Sequence, residues 1–259
     1  MWVTTGLAPT PALLHQAMDA AVNLQGRYVE RKDLSIQDLF QRYGMDRLLV
    51  FTRKGLFAYR NGVDKPAFFH PGLAPLRIKN LIRGDTDKMV EVAELIEGDS
   101  FLDCTLGWGA DAVVASFVVG EKGKVVGIEA NEVIAYMTKI GLSSWEDADP
   151  PVKEAMGRIE VVTGDHGDIL KRLPTGSFDV VYFDPMFREP VANSPGLVAL
   201  RPWANPSPLR RETIEEALRV CRRKVMMKER TGSDQFGKLG FTSLERTSAT
   251  ITFGVIEKS

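Results

Sequence analysis

The sequence predicts an α/β protein: a largely parallel sheet covered by helices on both faces, closed by an antiparallel strand pair and preceded by a small α+β module. Three observations carry this. From Ser100 onward short apolar runs alternate with helical stretches, the rhythm of parallel strands joined by crossover helices. Two runs within Leu244 to Ile256 have no helix between them, which makes an antiparallel edge. Before Gly84 the order differs, with two helices first and a hairpin after them.

The elements follow in order. Thr10 is a helix cap, Pro11 suits the first helical position, and Leu13, Leu14, Ala17, Met18, Ala21 and Leu24 form an apolar stripe ended by Gly26. Ser35 opens a second helix that stops at Gly44. Leu48 to Thr52 and Leu56 to Arg60 flank Arg53-Lys54-Gly55 as a hairpin, with Ala67 to His70 as a third strand. A basic helix over Leu73 to Arg83 leads through Gly84 into a helix from Lys88 to Leu95. Then come a strand (Phe101 to Cys104), a glycine loop and an apolar helix (Ala110 to Val119). A strand (Lys124 to Glu129) and a helix (Glu132 to Leu142) follow. Further strands run over Ile159 to Thr163, Phe178 to Asp184 and Val225 to Glu229, with a helix over Glu212 to Val220.

Composition narrows the class. The 259 residues are 44% hydrophobic and 26% charged, a globular balance with room for one large domain and a small module. No apolar run reaches the ~18 residues of a membrane span, and the first residues lack the pattern of a secretion signal, so a cytoplasmic protein without membrane partners is expected. Cys104 and Cys221 form no metal-binding or disulfide pattern, and no metal is expected. The net charge of −1 conceals an asymmetry: residues 1–84 hold 12 Lys and Arg against 6 Asp and Glu, residues 85–259 hold 21 against 28. Residues 1–84 therefore read as a basic module for docking something anionic, and residues 85–259 as a second, acidic domain.

Asp103-Cys104-Thr105-Leu106-Gly107-Trp108-Gly109-Ala110-Asp111-Ala112 places two glycines between a strand and a helix start, where the backbone can approach a ligand. Asp103 ends its strand on the ligand side, Glu129 ends the next at the distance suited to ribose hydroxyls, and Asp165 ends the third, placed to accept from an adenine amino group. Asp111 is either a further ligand or a helix-start acid. An acidic ribbon of this kind suits S-adenosyl-L-methionine, which carries a sulfonium and an amino group and no phosphate. A dinucleotide diphosphate beside Asp103 would be repelled.

The second motif, Asp184-Pro185-Met186-Phe187, follows a buried strand and resembles the (N/D)PP(F/Y) signature of methyltransferases acting on adenine N6 or guanine N2. An exocyclic amine has its lone pair delocalised into the ring. A carboxylate and backbone carbonyls accepting its N–H groups can pyramidalise the nitrogen, and the aromatic ring holds the base by stacking, worth ~1–3 kcal/mol. Positioning and electrostatics then govern transfer. Met186 stands where the signature has a second proline.

Taken together, the two motifs resemble class I S-adenosylmethionine-dependent methyltransferases, and within them the bacterial small-subunit rRNA guanine-N2 methyltransferases of the J type, over approximately residues 48 to 187. The resemblance includes Arg77, Lys79 and the Arg83-Gly84 pair. It implies a Rossmann-like seven-stranded sheet with a reversed last strand. It also implies a cofactor pocket of Asp103, Thr105, Gly107, Gly109, Asp111, Glu129 and Asp165, a catalytic segment from Asp184 to Phe187, and structured RNA, such as rRNA, as substrate. The first two helices and the stretch after Arg188 depart from that family.

Other residues are read more openly. Arg77, Lys79 and Arg83, extended by Arg53, Lys54 and Arg60, suggest a basic surface for phosphate-backbone contacts. His70 is either at the substrate site or a plain strand-end residue. His166 is a candidate for the adenine edge, and Trp203, in the proline-rich loop from Arg188 to Pro208, either stacks on a base or anchors the loop. Lys228 and Arg230 are candidate phosphate contacts. Neither cysteine has the proline neighbour of a cytosine-C5 nucleophile. The same fold also serves small molecules and protein side chains, and such a chain can bind RNA or cofactor without turnover. The intact Asp184 motif weighs against the last, and the basic module against a small neutral metabolite.

Overall fold

The Leu13 N–H donates to Thr10 Oγ1 at 3.3 Å and Pro11 opens α1 (Pro11–Asn23), as the capping pattern dictates. Ser35 and Asp38 form a reciprocal capping box at α2 (Ile36–Tyr43), which ends on Gly44 in the left-handed region. The structure is a computed structural model describing residues 1–185, 199–204, 208–246 and 250–258. Met186, Phe187 and most of the 188–208 loop lie outside the described residues.

Two compact units result. The first holds Met1–His70 and, of the later described residues, 199–203. Its five-stranded sheet runs β2 (Arg27–Tyr28), β1 (Trp2–Thr5), β3 (Arg47–Thr52), β4 (Gly55–Arg60), β5 (Ala67–Phe68). The hairpin β3–β4 is the expected one. Strand β1, parallel to both β2 and β3, is four residues long and has no periodicity to announce it. Helix α1 packs on β1 and β3 through Ala17, Ala20 and Ala21 and leaves Met18 exposed, so the buried stripe is narrower than the apolar pattern implies. Leu39, Phe40, Leu48 and Val50 form a core against α2.

The second unit holds the remaining described residues from Pro71 on. It includes α3 (Ala74–Ile82), which packs on α5 (Ala110–Val119). The division therefore falls at His70/Pro71, ahead of the Gly84 boundary that charge suggests, and Arg77, Lys79 and Arg83 belong to the second unit. Its sheet contains seven strands: β11 (Ser243–Arg246), β12 (Ile251–Glu257), β10 (Cys221–Arg230), β9 (Phe178–Phe183), β6 (Ser100–Asp103), β7 (Lys124–Glu129) and β8 (Ile159–Thr163), in that spatial order. All pairings from β10 to β8 are parallel, while β12 runs antiparallel to both β10 and β11. The reversed strand is thus inserted beside the edge, and the helix-free pair Leu244 to Ile256 accounts for the antiparallel pairing of β11 with β12.

Helices α4 (Lys88–Ala93), α6 (Glu132–Ser144) and α7 (Pro150–Gly157) join α3 and α5 around the sheet. On the opposite face α8 (His166–Arg172), α9 (Arg211–Val220) and α10 (Gln235–Leu239) cover Leu102, Val126, Ile128, Val181, Phe183, Val225 and Met227. Strands this apolar on both sides are the mark of a doubly covered parallel sheet. Helices α7, α8 and α10 are short, eight residues or fewer, below the length at which a helical period stands out. Among the described residues no helix is long and apolar enough to cross a membrane.

Candidate active site

Strand register brings the second unit's charged groups to one face. Asp103 pairs with Gly127 and Tyr182, Tyr182 with Met226, and Lys228, two residues on, with Phe253. Side chains alternate along a strand, so Asp103, Tyr182 and Lys228 share a face, and Asp184 follows Tyr182 by two. The rings of Phe101 and Phe253 meet that of Tyr182 in tilted contacts at centroid distances of 5.5 and 6.4 Å.

Above Asp103 the chain turns through Gly107 (φ 51°) and Gly109 (φ 77°) into α5, conformations that side chains with a Cβ resist. Gly127 lies under the loop: a Cβ there would come within 2.3 Å of Leu106, so any side chain would displace it. The turn delivers Asp111 in the first turn of α5, where the helix dipole favours an anion.

Asp111 is the hub. Arg77 Nη1 donates to its Oδ1 at 2.5 Å, while the Tyr182 hydroxyl at 2.9 Å and Lys228 Nζ at 3.2 Å donate to its Oδ2. Lys228 Nζ also donates to Asp184 Oδ2 at 2.7 Å. Arg77 grips Asp87 with two parallel bonds, Nε to Oδ2 at 2.7 Å and Nη2 to Oδ1 at 2.9 Å, and Asp87 in turn caps α4. Two cations thus serve three carboxylates, with Asp103 close by as a fourth acid.

The electrostatics follow. Burial raises the Asp103 carboxyl to about 8, helped by the charges of Asp111 and Asp184 and opposed by the Thr105 N–H and Lys228. Burial would also raise Asp111, but Lys228, Arg77 and the Tyr182 hydroxyl overcome it and hold Asp111 well below the usual carboxylate range. Asp184 is raised by burial, with Lys228 pulling it down and Asp111 pushing it up. Burial works against the Lys228 ammonium, yet its two carboxylates outweigh that and raise it. Of these two acids, Asp111 is held charged by its three donors, while Asp184 is the one whose proton affinity is raised.

Thr105 links the two motifs. Its Oγ1 accepts from the Asp184 N–H at 2.6 Å and faces Asp103 Oδ1 at 3.4 Å, and its own N–H donates to Asp103 Oδ1 at 2.9 Å. The glycine loop and the Asp184-Pro185 turn are therefore joined by one short chain of bonds. Glu129 takes the Gly107 N–H at 3.0 Å and the Asn131 N–H at 2.8 Å, which ties the end of β7 to the loop. Burial raises its carboxyl. Asp165 is exposed and caps α8 through the N–H groups of Gly167 (2.8 Å) and Asp168 (3.3 Å). The His166 ring stands edge-on to Phe183 at 5.8 Å, and burial lowers its pKa.

Several expected sites move. Arg77 is turned inward, its guanidinium engaged by two carboxylates, so it does not belong to a phosphate-contact surface; Lys79 and Arg83 are exposed. Trp203 is buried in the first unit at 4% exposure and does not offer a face for stacking. His70 is exposed at the end of the first unit. Lys228 meets two carboxylates in place of the expected phosphate. Sequence reasoning does not single out Tyr182 or Asp87 at all. Tyr182 reads there as one more apolar strand residue, and its position two residues before Asp184 is the signal that places it beside the site.

The chain is similar to several known proteins. The chain is 39% identical over 257 residues to YpiP of Bacillus subtilis, covering 99% of both chains. It is 38% identical over 87 residues to ribosomal RNA small subunit methyltransferase J of Laribacter hongkongensis, covering 33% of this chain and 29% of that protein. With the same-named protein of Pseudomonas savastanoi it shares 29% over 147 residues, 55% of this chain and 53% of that one. The crystal structure of a SAM-dependent methyltransferase from Neisseria gonorrhoeae has the same fold, with a TM-score of 0.63 at 13% identity, covering 100% of this chain and 96% of that one. The SAM-dependent methyltransferase family model matches residues 75–196, a continuous stretch that holds Arg77, the glycine loop, Glu129 and Asp184. The chain matches that family over these residues and is a methyltransferase that uses S-adenosylmethionine.

Proposed function

We propose that the enzyme methylates the exocyclic amine of a base in structured RNA, guanine N2 or adenine N6, in the cytoplasm, with rRNA as the substrate class. The observation that carries this reading is the bond chain Asp103–Thr105–Asp184, which fastens an amine-accepting carboxylate to the loop suited to the cofactor. The partial matches to two J-type rRNA methyltransferases support the RNA assignment.

In this reading Asp103, Glu129, Asp165 and the turn Gly107 to Gly109 hold the cofactor, an acidic set that fits a cationic ligand without phosphate. When bound, S-adenosylmethionine supplies a methyl group on a sulfonium, open to in-line attack by an amine lone pair. Asp184 accepts an N–H of the target amine, draws the lone pair out of the ring and receives the proton that methylation releases. Thr105 fixes the backbone of Asp184, and Lys228 fixes its carboxylate. Lys79 and Arg83, with Arg53 and Lys54 of the first unit, supply phosphate contacts that position RNA without reading it. Mass-spectrometric mapping of methylated nucleosides in ribosomal RNA with and without the gene tests the assignment. Loss of one methylated guanosine or adenosine is expected, and an unchanged profile overturns it.

Two further outcomes are expected. Asp103, protonated below about 8 in the free protein, ionises beside a bound cation, so cofactor binding releases a proton. Affinity should tighten by up to about tenfold per pH unit as pH rises toward about 8 and level off above it, with proton release visible in calorimetry in two buffers of different ionisation heat. Asp103→Asn removes that dependence, and a wild-type proton count of zero would take Asp103 away from the cation. In the free protein the sign is opposite. A carboxyl raised from 3.8 to about 8 costs stability progressively as pH rises through that interval. Separately, Lys79→Glu with Arg83→Glu should weaken RNA binding and flatten the slope of log K against log salt by about 0.7–0.9 for each phosphate left without its cation. An unchanged slope removes α3 from the RNA surface.

A further inference from the structure

We propose that Lys228 is a positioning residue for methyl transfer: by bridging Asp184 and Asp111 it keeps the Asp184 carboxylate ionised and in one orientation toward the target amine. The inference rests on the reading that Asp184 meets that amine, and it assigns to β10 a part in the site beyond either sequence motif.

The geometry is specific. Lys228 Nζ lies 2.7 Å from Asp184 Oδ2 and 3.2 Å from Asp111 Oδ2, with the lysine side chain 25% exposed and the two carboxylates 28% and 10% exposed. An ammonium placed between two acids attracts both, but the acids differ. Asp111 also receives Arg77 Nη1 and the Tyr182 hydroxyl, so its charge is secured three ways. Around Asp184 stand Lys228 from β10, Asp111 from α5, Asp103 from β6 and Tyr182 from its own strand. His166 of α8 meets Phe183. Lys228 is the only cation among the described residues that bonds the Asp184 side chain, so without it that carboxylate faces the charge of Asp111 with no cation bonded to it.

The chemistry requires that cation. To accept an amine N–H, Asp184 must be a carboxylate; a protonated acid offers a donor where an acceptor is needed. During transfer the amine nitrogen forms the new bond to the methyl carbon, the carbon–sulfur bond breaks with its electron pair left on sulfur, and the nitrogen loses one proton to Asp184. Lys228, remaining protonated, holds the oxygen it touches and leaves the carboxylate's other oxygen to meet the amine. Asp111 has the opposite influence on the same group: its negative charge favours a proton on Asp184. Lys228 and Asp111 therefore set the charge of Asp184 in opposite senses.

The test titrates the Asp184 carboxyl carbon by 13C NMR in the cofactor-free enzyme, the resonance being identified by its loss in Asp184→Asn. Lys228→Met should move the midpoint up by about one pH unit or more, Lys228→Arg should largely restore it, and Asp111→Asn should move it down. A general loosening of structure would not displace the two variants in opposite directions. An unchanged midpoint in Lys228→Met overturns the proposal. If that variant does not fold, a midpoint in Asp111→Asn that stays put or rises overturns it instead. Methyl transfer to rRNA gives the second readout. The acidic limb of kcat/KM in Lys228→Met should shift upward by the same amount, a loss of about tenfold or more below it. The titration needs neither RNA nor turnover, so a wild-type enzyme inactive on RNA would refute the substrate reading and leave the Lys228 result standing on its own.

Discussion

Asp184→Ala is expected to reduce methyl transfer by about 10²–10⁴-fold while changing cofactor affinity by less than about threefold. The carboxylate sits past the end of β9, where its N–H is held by Thr105 Oγ1 and its Oδ2 by Lys228. In the proposed reaction it touches the amine and not the sulfonium, so its loss falls on kcat. The backbone bond to Thr105 survives truncation, which leaves the glycine loop braced from below. Lys228 retains Asp111 as a partner, so no cation is stranded. Asp184→Asn separates charge from geometry: the amide still accepts through its oxygen but cannot take the proton, and an intermediate loss is expected. Binding by calorimetry and single-turnover transfer to RNA from a strain lacking the gene check both quantities. Loss of cofactor affinity matching the loss of transfer would move Asp184 into the cofactor pocket.

The contrast between Asp184 and Arg77 shows where local sequence information ends. Asp184 is legible because a strand-ending carboxylate followed by proline has a chemical use that depends on neighbours in the chain. The seven-stranded sheet is legible for the same reason, since the alternation of apolar runs and helices is local, and so is the reversal of β12, which follows from a missing helix. Arg77 is not. Its two partners, Asp87 and Asp111, are 10 and 34 residues away, and from spacing alone an arginine on a helix with Lys79 and Arg83 looks like part of a basic surface. Lys228 is 44 residues from Asp184 and 117 from Asp111, and its role emerges only from the parallel register of β10 on β9. Asp111 is ambiguous in sequence between ligand and helix-start acid because either use places an acid in the first turn of α5. Packing decides for an internal role. Asp165 also serves as a helix cap, its Oδ1 accepting from the N–H groups of Gly167 and Asp168 at the start of α8, a use that sequence alone does not separate from a ligand role.

The inward place of Arg77 leads to the second large effect. Arg77→Ala should destabilise the second unit by about 3 kcal/mol, near the lower end for breaking a buried ion pair, because the guanidinium is still 23% exposed while Asp87 and Asp111 are each 10% exposed. Arg77 fastens α3 to the cap of α4 and to the first turn of α5 with bonds of 2.5 to 2.9 Å. The two acids fare differently once it is gone. Asp111 keeps Lys228 and the Tyr182 hydroxyl, whereas Asp87 keeps only the N–H groups of Met89 and Val90 among the described residues. At about 2–4 °C per kcal/mol for a unit of this size, the melting temperature should fall by about 6–12 °C. Charge reversal is worse, since Arg77→Glu would add a further carboxylate to a cluster that already has more acids than cations. Lys79→Glu, two residues along the same helix and exposed, should leave the melting temperature within about 1 °C of wild type, as surface changes normally do. Melting curves on the three variants, paired with RNA affinity across salt, separate the two faces of α3. A stable Arg77→Ala enzyme with a weakened salt slope would return Arg77 to the RNA surface and require the carboxylate cluster to be held together by Lys228 alone.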